Sequence, residues 1–502
     1  MKIGVPKEIL PGETRVAASP DSIKKFKALG VEILIQSGAG EAASMSDEEL
    51  ESAGARIVPD AATLYGEADM VFKVGAPCCN GNGAVDELAM MKPDAILVGM
   101  LNPLFKREQA EAYAKHGLTS FAMELIPRIS RAQSMDVLSS QSNISGYKAV
   151  IDAAEQFGKI LPMMMTAAGT IVPARVVVMG AGVAGLQAIA TAHRLGAIVS
   201  AFDVRPAVKE QVESLGATFI EVEDTNAKAA ETSGGYAREM NADYLKRQAE
   251  VIHATMKKTD ICITTAQIPG KKAPILITEA MVKDMKNGSV IVDLATDTGG
   301  NCELSERDAV VDKFGVTIIG YSNTAGHLAA DASALYSRNL YNFLSAFWDK
   351  EAGRPVLDEE IGNADFGTYT TDQFYDDLFR LTQFRSDPEL SEMLVTKSLE
   401  TVQWMRTKGI KFQPSYGRQA FKVDGKYKFW GGLCVETWGG GEGLIELETK
   451  AALERGIEIL YETRALSLLY DHEKVHGVTV KHKGKVRDIH AKAVILAAGG
   501  FE

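Results

Sequence analysis

At 502 residues the chain is too long for one ordinary hydrophobic core, and its length suggests about three domains. Hydrophobic residues make up 46% and charged residues 24%, as in a water-soluble globular protein, and a net charge of −12 argues against nucleic acid as a partner or a general attraction to anionic membranes. Cys78, Cys79, Cys262, Cys302 and Cys434 show neither paired metal-ligand spacing nor a disulfide framework, so no metal site is expected and a cytoplasmic setting fits.

In chain order, Met1-Lys2-Ile3-Gly4 enters a strand directly, with nothing resembling a signal peptide. Residues 2–6, 31–36, 70–74, 95–100 and 119–123 read as buried strands, separated by amphipathic stretches such as 22–29 and 106–116. This is an α/β pattern with a mainly parallel sheet. Residues 127–147 (PRISRAQSMDVLSSQSNISGY) are dense in polar side chains between apolar elements. Arg128, Arg131, Gln133, Asp136, Ser139, Ser140 and Gln141 can form charge-assisted hydrogen bonds to a polar ligand. The same segment reads equally as an interdomain hinge in which Asp136 and Ser139 cap the helix over 139–157. The apolar run 160–174 contains Pro162 and Pro173 and is too short to span a bilayer, so no direct membrane insertion is expected.

Residues 175–205 (RVVVMGAGVAGLQAIATAHRLGAIVSAFDVR) follow. A β-branched run ends at Gly180, Gly182 and Gly185, a G-x-G-x-x-G turn that opens an Ala/Leu-rich helix, and a second apolar strand ends in Asp203. The first glycine permits the tight turn, the second lets a pyrophosphate approach the backbone, and the third lets helix and strand pack closely. The helix N-terminus offers unpaired N–H groups and the positive end of its dipole. Asp203 stands where a carboxylate accepts hydrogen bonds from an adenosine ribose, which favours NAD over NADP; Arg205 nearby is the one group that would favour a 2′-phosphate. Further strands are expected over 260–265 and 289–294, and a helix over 329–347 returning to the first domain, which leaves a cleft between the two.

Near residue 360 the character of the chain changes. Helices over 371–381 and 390–408, a Gly-rich loop at 439–443, two strand pairs and an apolar strand at 493–496 are expected. The domains are accordingly 1–138 with 326–363, then 139–325, then 364–502.

The segments KEILPGETRVAASP (7–20), PRISRAQSMDVLSSQSNISGY, VVVMGAGVAGLQAIATAHRLGAIVSAFDVR and VIVDLATDTGGNCE closely resemble the NAD(H)-binding domain I of proton-translocating NAD(P) transhydrogenases, in the form whose α subunit lacks membrane helices. The resemblance runs from Met1 to about Asn363. It implies two Rossmann-like doubly wound parallel-sheet domains with a cleft between them. It implies an oxidoreductase subunit in which NADH passes hydride directly to NADP⁺ held on a β subunit, while a membrane domain couples the transfer to proton movement. A homodimer, peripheral at the inner face of the cell membrane through its partner, belongs to the same expectation. By the resemblance Arg128, Gln133, Asp136 and Ser139 position the nicotinamide end. Gly180, Ala181, Gly182, Val183, Gly185, Asp203, Val204, Arg205, Thr265 and Ala266 hold the rest of the cofactor, and Tyr236 lies in a loop that closes over it.

Hydride exchange between two nicotinamides moves no proton at the reacting carbons, so the site needs positioning and dryness and no general acid. Alanine dehydrogenase resembles the same half, and its keto-acid ligands match Arg15 and Lys73. Its chemistry needs a protonatable group near the substrate, usually histidine. The corresponding strand end reads Gly99-Met100-Leu101-Asn102-Pro103, and His116, His193, His253 and His327 lie elsewhere with packing or surface roles expected. Arg15 and Lys73 are then expected in structural ion pairs. The C-terminal segment resembles an internal piece of FAD-dependent succinate, fumarate and tricarballylate dehydrogenase flavoproteins, an incomplete α+β fragment. It lacks a flavin-type G-x-G-x-x-G at its start, and the family's substrate-binding histidine and arginines fall after residue 502, so productive FAD binding is not expected. Two alternatives follow: a nucleotide-binding module without turnover because the C-terminal segment obstructs the partner, and a fragment of an FAD-dependent dehydrogenase.

Overall fold

The computed structural model describes residues 1–79, 86–127, 130–222, 242–268, 270–349, 352–355, 364–365, 367–415, 420–423, 426–429, 435–438, 440–471, 473–482 and 484–497. The chain divides into two compact units, Met1–Leu357 and Asp358–Glu502.

The first unit contains two sheets. In the N-terminal sheet β1 (Lys2–Val5), β2 (Glu32–Gln36), β3 (Arg56–Val58), β4 (Met70–Gly75), β5 (Ile96–Met100) and β6 (Thr119–Ala122) take the order 3-2-1-4-5-6, all parallel. Helices α1 (Pro20–Ala28), α2 (Asp47–Ala53), α3 (Ala61–Glu67), α4 (Glu87–Met90) and α5 (Arg107–His116) connect them. This is the doubly wound order, which reverses between β1 and β4. The hydrophobic runs bury on both faces, as a parallel sheet requires: Ile3, Val5, Ile33, Phe72 and Val98 enter one core, Leu34, Val71 and Leu97 the other.

A 20-residue helix, α6 (Val137–Gln156), joins the two halves. Val137 near its start lies in the core of the first sheet, whereas Ala149, Val150 and Ala153 lie in that of the second. An exposed hairpin, β7 (Met164–Thr166) and β8 (Gly169–Ile171), precedes the second sheet. That sheet runs β11 (Thr218–Phe219), β10 (Ile198–Phe202), β9 (Arg175–Met179), β12 (Ile261–Thr264), β13 (Val290–Asp293), β15 (Val316–Ile319), β14 (Val310–Lys313), with β14 its antiparallel edge. Helices α7 (Val183–Arg194), α8 (Lys209–Ser214), α9 (Ala242–Met256) and α10 (Glu279–Lys283) cover it. Helix α11 (Ala329–Phe347) returns to the first sheet, where Tyr336, Leu340, Phe343 and Leu344 join its core. A short pair, β16 (Trp348–Asp349) with β17 (Arg354–Pro355), closes the unit.

The second unit contains α12 (Thr371–Leu381), α13 (Pro388–Thr407) and α14 (Gly440–Leu453). Its strands are β18 (Ala364–Asp365), β19 (Phe412–Pro414), β20 (Ala420–Val423), β21 (Lys426–Phe429), β22 (Val435–Thr437), β23 (Thr463–Tyr470), β24 (Val475–His482) and β25 (Lys485–His490). The last three form an antiparallel meander. Two expectations are corrected. The Gly-rich stretch opens α14 at Gly440 and is not a loop: the strong helix formers that follow carry the helix, and glycine costs little at its end. Gly443 is needed there, since a Cβ would stand 1.8 Å from the carbonyl oxygen of Trp438. Residues 493–496 are not a strand, because nothing pairs with them among the described residues, and Ile495 and Leu496 are exposed.

Candidate dinucleotide site

The glycine turn lies between β9 and α7 at the C-terminal edge of the second sheet, beside the reversal of strand order between β9 and β12. Gly180 has φ +98°, and its N–H donates to the Phe202 carbonyl at 2.8 Å. Its own carbonyl accepts from Thr265 Oγ1 at 2.8 Å, while Thr265 N–H donates to the Met179 carbonyl at the same distance. Gly182 is the N-cap of α7, and no side chain caps that helix end. Helices α1, α2, α3, α6 and α10 are capped by Ser19, Ser46, Asp60, Asp136 and Thr278, whereas α5, α8 and α11, like α7, have no side-chain cap, so it is the glycine turn before α7 that marks this end. A Cβ on Gly182 would meet nothing within 4 Å, so the space before the uncapped N–H groups is open. At Gly185 the reverse holds: a Cβ would stand 1.8 Å from the Gly180 carbonyl oxygen. An open approach, bare N–H donors and the dipole end fit a pyrophosphate. Ala181 is buried and Val183 forms the first turn of α7.

Asp203, after β10, is buried and fully engaged. Its Oδ2 accepts from Ala181 N at 2.7 Å, its Oδ1 from Arg205 N at 2.9 Å, and the Arg205 guanidinium grips both oxygens at 2.8 and 2.9 Å. The acid therefore locks the glycine turn and balances the charge of Arg205. Val204 packs against the core on the α9 side of the sheet. Ala266 N–H donates to Asn301 Oδ1 at 3.0 Å, and Asn301 Nδ2 donates back to the Ala266 carbonyl at 2.9 Å. Asn301 is held in turn by Asp293, whose Oδ2 accepts from Asn301 N, Cys302 N and Ser305 Oγ. Neither Asp293 nor Asn301 stands out as a site residue in the sequence; the signal was available, an acid closing the apolar strand VIVD as Asp203 closes its own.

In the junction, Asp136 caps α6, accepting from Ser139 N at 2.9 Å and Ser139 Oγ at 2.6 Å. Gln133 is exposed in the 3-10 turn Ser130–Met135 just before it. That turn is pinned from α11, where Asn339 and Asn342 Nδ2 both donate to the Ser134 carbonyl. Gly146 brings α6 against α7, its Cβ position 2.1 Å from the Ala184 carbonyl oxygen, so the turn carrying Gln133 and the helix bearing the glycine turn are rigidly related. Arg128 and Tyr236 lie outside the described residues.

The ion pairs expected for Arg15 and Lys73 are present. Arg15 chelates Glu13 at 2.7 and 2.8 Å and donates to Gln141 Oε1 at 2.8 Å. Lys73 is fully buried between Glu87 Oε1 at 2.7 Å and Glu8 Oε2 at 3.2 Å. Burial works against the Glu13 carboxylate, but the Arg15 guanidinium outweighs it and holds its pKa below the ordinary 4.5. The folded state thus binds fewer protons at Glu13 than the unfolded chain. The pair's stabilisation is expected in full above pH 4.5 and to be lost as pH falls through the lower folded value. Glu13→Gln should cost about 3 kcal/mol in denaturant unfolding at pH 7, because Arg15 is left buried without its carboxylate, and progressively less as pH is lowered below 4.5.

The histidines have other work. His116 bonds the Met91 carbonyl at 2.9 Å, His253 pairs with Asp284 at 2.8 Å, His193 lies against Gly216, and His327 stacks edge-on to Tyr321 at 4.7 Å. After β5 the chain turns at Asn102 (φ +52°), its N–H bonded to Glu124, and carries no imidazole. No group of three His, Cys, Asp or Glu among the described residues could hold a metal ion, and no helix among them is long and apolar enough to cross a membrane.

This geometry agrees with comparisons to known proteins. The family model described as Alanine dehydrogenase/PNT, N-terminal domain matches residues 4–145, and that for the C-terminal domain matches 149–371. The chain is 56% identical over 357 residues to the first portion of NAD(P) transhydrogenase subunit alpha from Rhodospirillum rubrum, covering 71% of this chain and 93% of the relative. The chain belongs to the NAD(P) transhydrogenase alpha-subunit family. Within that family it is 47% identical over 361 residues to the Rickettsia prowazekii protein of the same name, covering 72% and 93%. The solved transhydrogenase from Sinorhizobium meliloti matches with a TM-score of 0.61 and 46% identity over 71% of this chain and 96% of that one. L-alanine dehydrogenase matches with a TM-score of 0.57 and 28% identity over 68% and 88%. Residues 362–502 match the FAD binding domain model, so the transhydrogenase-type region is followed by a flavoprotein-type segment.

Proposed function

We propose that residues 1–363 form the NAD(H)-binding component of a transhydrogenase, and that NADH held here passes hydride to NADP⁺ on a β subunit. The observation that carries this reading is the uncapped α7 terminus behind an open Gly182, with Asp203 locking the turn and neutralising Arg205. A neutralised Arg205 leaves little attraction for a 2′-phosphate, in keeping with NAD over NADP. The bare N–H groups and Gly180–Gly185 turn bind the pyrophosphate, Asp203 and Val204 border the adenosine end, and Thr265 and Ala266 form the wall beyond. Gln133 is proposed to orient the nicotinamide amide. The cap formed by Asp136 with Ser139 fixes the turn that carries Gln133, and Arg128 and Tyr236 belong to the same proposal by resemblance. No side chain is required to donate a proton, in agreement with the absence of an imidazole at the end of β5.

The test is reconstitution. Added to membranes containing a transhydrogenase β subunit, the full chain should support NADH-dependent reduction of NADP⁺. If NADH binds but no reduction occurs, and removal of residues 364–502 restores it, the module-without-turnover alternative is correct; this alternative is favoured by the presence of an unrelated segment after 363. That segment is proposed to carry no FAD, so the purified chain should be colourless above 400 nm.

A homodimer, peripheral at the inner face of the membrane through its partner, completes the proposal. The β7–β8 hairpin displays Met163, Met165 and Val172 at 62, 78 and 77% exposure, an apolar surface that a second copy would cover. Met165→Asp is expected to shift the protein from dimer to monomer in sedimentation velocity without altering its circular dichroism.

A further inference from the structure

A cavity of about 330 Å³ opens at the opposite end of the second sheet from the glycine turn, where β9 and β10 begin and α9 ends. Gly180, Asp203 and Thr265 follow the C-terminal ends of these parallel strands, so the cavity lies about one strand length, roughly 16 Å, from the nucleotide site. It exists because β10 turns alternate residues to alternate faces. Val199 and Ala201 are buried in one core, whereas Ile198 and Ser200 point to the face where α9 covers β9 but not the start of β10. Ile198 is left 47% exposed.

The lining is two-sided in its chemistry. Val177, Ile198 and Val251 make an apolar wall, while Arg175, Lys258 and Ser200 supply two cations and a hydroxyl. Among the described residues no carboxylate lines the cavity. The nearest acid in sequence, Asp260, is already committed: one oxygen accepts from Arg175 N–H and the other from Lys286 Nζ, both at 2.8 Å. Among the described residues neither the Arg175 guanidinium nor the Lys258 ammonium has an ion-pair partner. Two uncompensated cations beside an exposed isoleucine, around a concavity of ligand size, are matched by a molecule that carries a negative head and an apolar body.

We propose that this cavity is a second ligand site, independent of the nucleotide, for a small amphipathic organic anion such as a medium-chain or aromatic carboxylate. Its head lies between Arg175 and Lys258 with Ser200 donating a hydrogen bond, and its body covers Ile198 and Val177.

The test uses octanoate as the probe, titrated calorimetrically into the full chain with and without saturating NADH. One saturable site is expected, unaffected by NADH. The double substitution Arg175→Gln, Lys258→Gln should weaken it about tenfold, the loss of a charge-assisted contact. Lys258→Gln alone, at an exposed helix end, should weaken it severalfold, and Ile198→Asp should abolish it. Unchanged NADH fluorescence in each variant reports an intact fold. The proposal is overturned if octanoate does not bind at millimolar concentration, if NADH displaces it, if uncharged octanol binds as tightly, or if Lys258→Gln leaves the affinity unchanged.

Discussion

Gly185→Ala is expected to lower NADH affinity about 100-fold while leaving the secondary structure of the chain intact. The added Cβ would stand 1.8 Å from the Gly180 carbonyl oxygen and 3.4 Å from Thr265 Oγ1, contacts that neither backbone nor hydroxyl can relieve in place. Helix α7 must then move off the strand, and the N–H groups at its start leave the line along which they face the ligand. Overpacking of this kind costs about 1–3 kcal/mol, and the upper end of that range is a factor of about 100 in affinity. Gly182→Ala separates packing from ligand space. Gly182 has an ordinary φ of −79° and an empty Cβ position, so alanine there meets no clash. It should cost at most about 1 kcal/mol, as the poorer N-cap residue, and still impair binding, because the methyl occupies the space that the proposed pyrophosphate needs. Fluorescence titration with NADH and denaturant unfolding of both variants check the pair. Full NADH affinity in Gly182→Ala would mean that the phosphates do not pass over this turn.

Lys73→Met should destabilise the first unit by about 3–5 kcal/mol at pH 8, the cost of removing one partner from a buried ionic cluster. The Lys73 ammonium is fully buried between Glu8 and Glu87, and Glu87 also accepts from Tyr65 OH at 2.5 Å and Cys78 N at 2.8 Å. The cluster thus holds two carboxylates against one ammonium. Burial pushes the Glu8 carboxyl above its ordinary 4.5, although Lys73 and the Val74 N–H pull it down. A carboxyl whose folded pKa is raised binds more protons in the native state, so its contribution to stability falls as pH rises above 4.5. Without Lys73 that rise must be larger. The loss caused by Lys73→Met should therefore be smaller at pH 5 than at pH 8, as measured by urea unfolding. A loss below about 1 kcal/mol, equal at both pH values, would show that the cluster is solvated and its charges uncoupled.

How much of this was legible depended on the range of the interactions. The strands β1, β2, β4, β5, β9, β10, β12 and β13 are each written as a short run of β-branched and aliphatic residues, because both faces of a parallel sheet are buried. Strand β3 is three residues at the sheet edge, with Arg56 facing solvent, and has no such run. The β7–β8 hairpin sits inside a continuous apolar stretch without alternation, so its turn at residues 167–168 left no pattern to read. At Gly440 the glycines pointed to a loop, and the helix formers behind them prevailed. The glycine turn could be read because its components lie within a few residues of one another. The link from Asn301 to the Ala266 backbone and that from Arg15 to Gln141 span 35 and 126 residues, and only the packing of α6 and α11 brings Gln141 to the local Glu13–Arg15 pair. Asp136 shows both readings of its segment at once: it is the helix cap, and by capping it fixes the turn that carries Gln133.

The decisive measurement is the fluorescence of NADH titrated with the purified full chain, repeated with NADPH. The expected result is a saturable blue shift or quench with NADH that NAD⁺ reverses, and no comparable response to NADPH. Tight NADPH binding with no NADH binding would contradict the assignment of the glycine turn, Asp203 and Arg205 to an NAD(H) site, and with it the proposed place of this chain in hydride transfer.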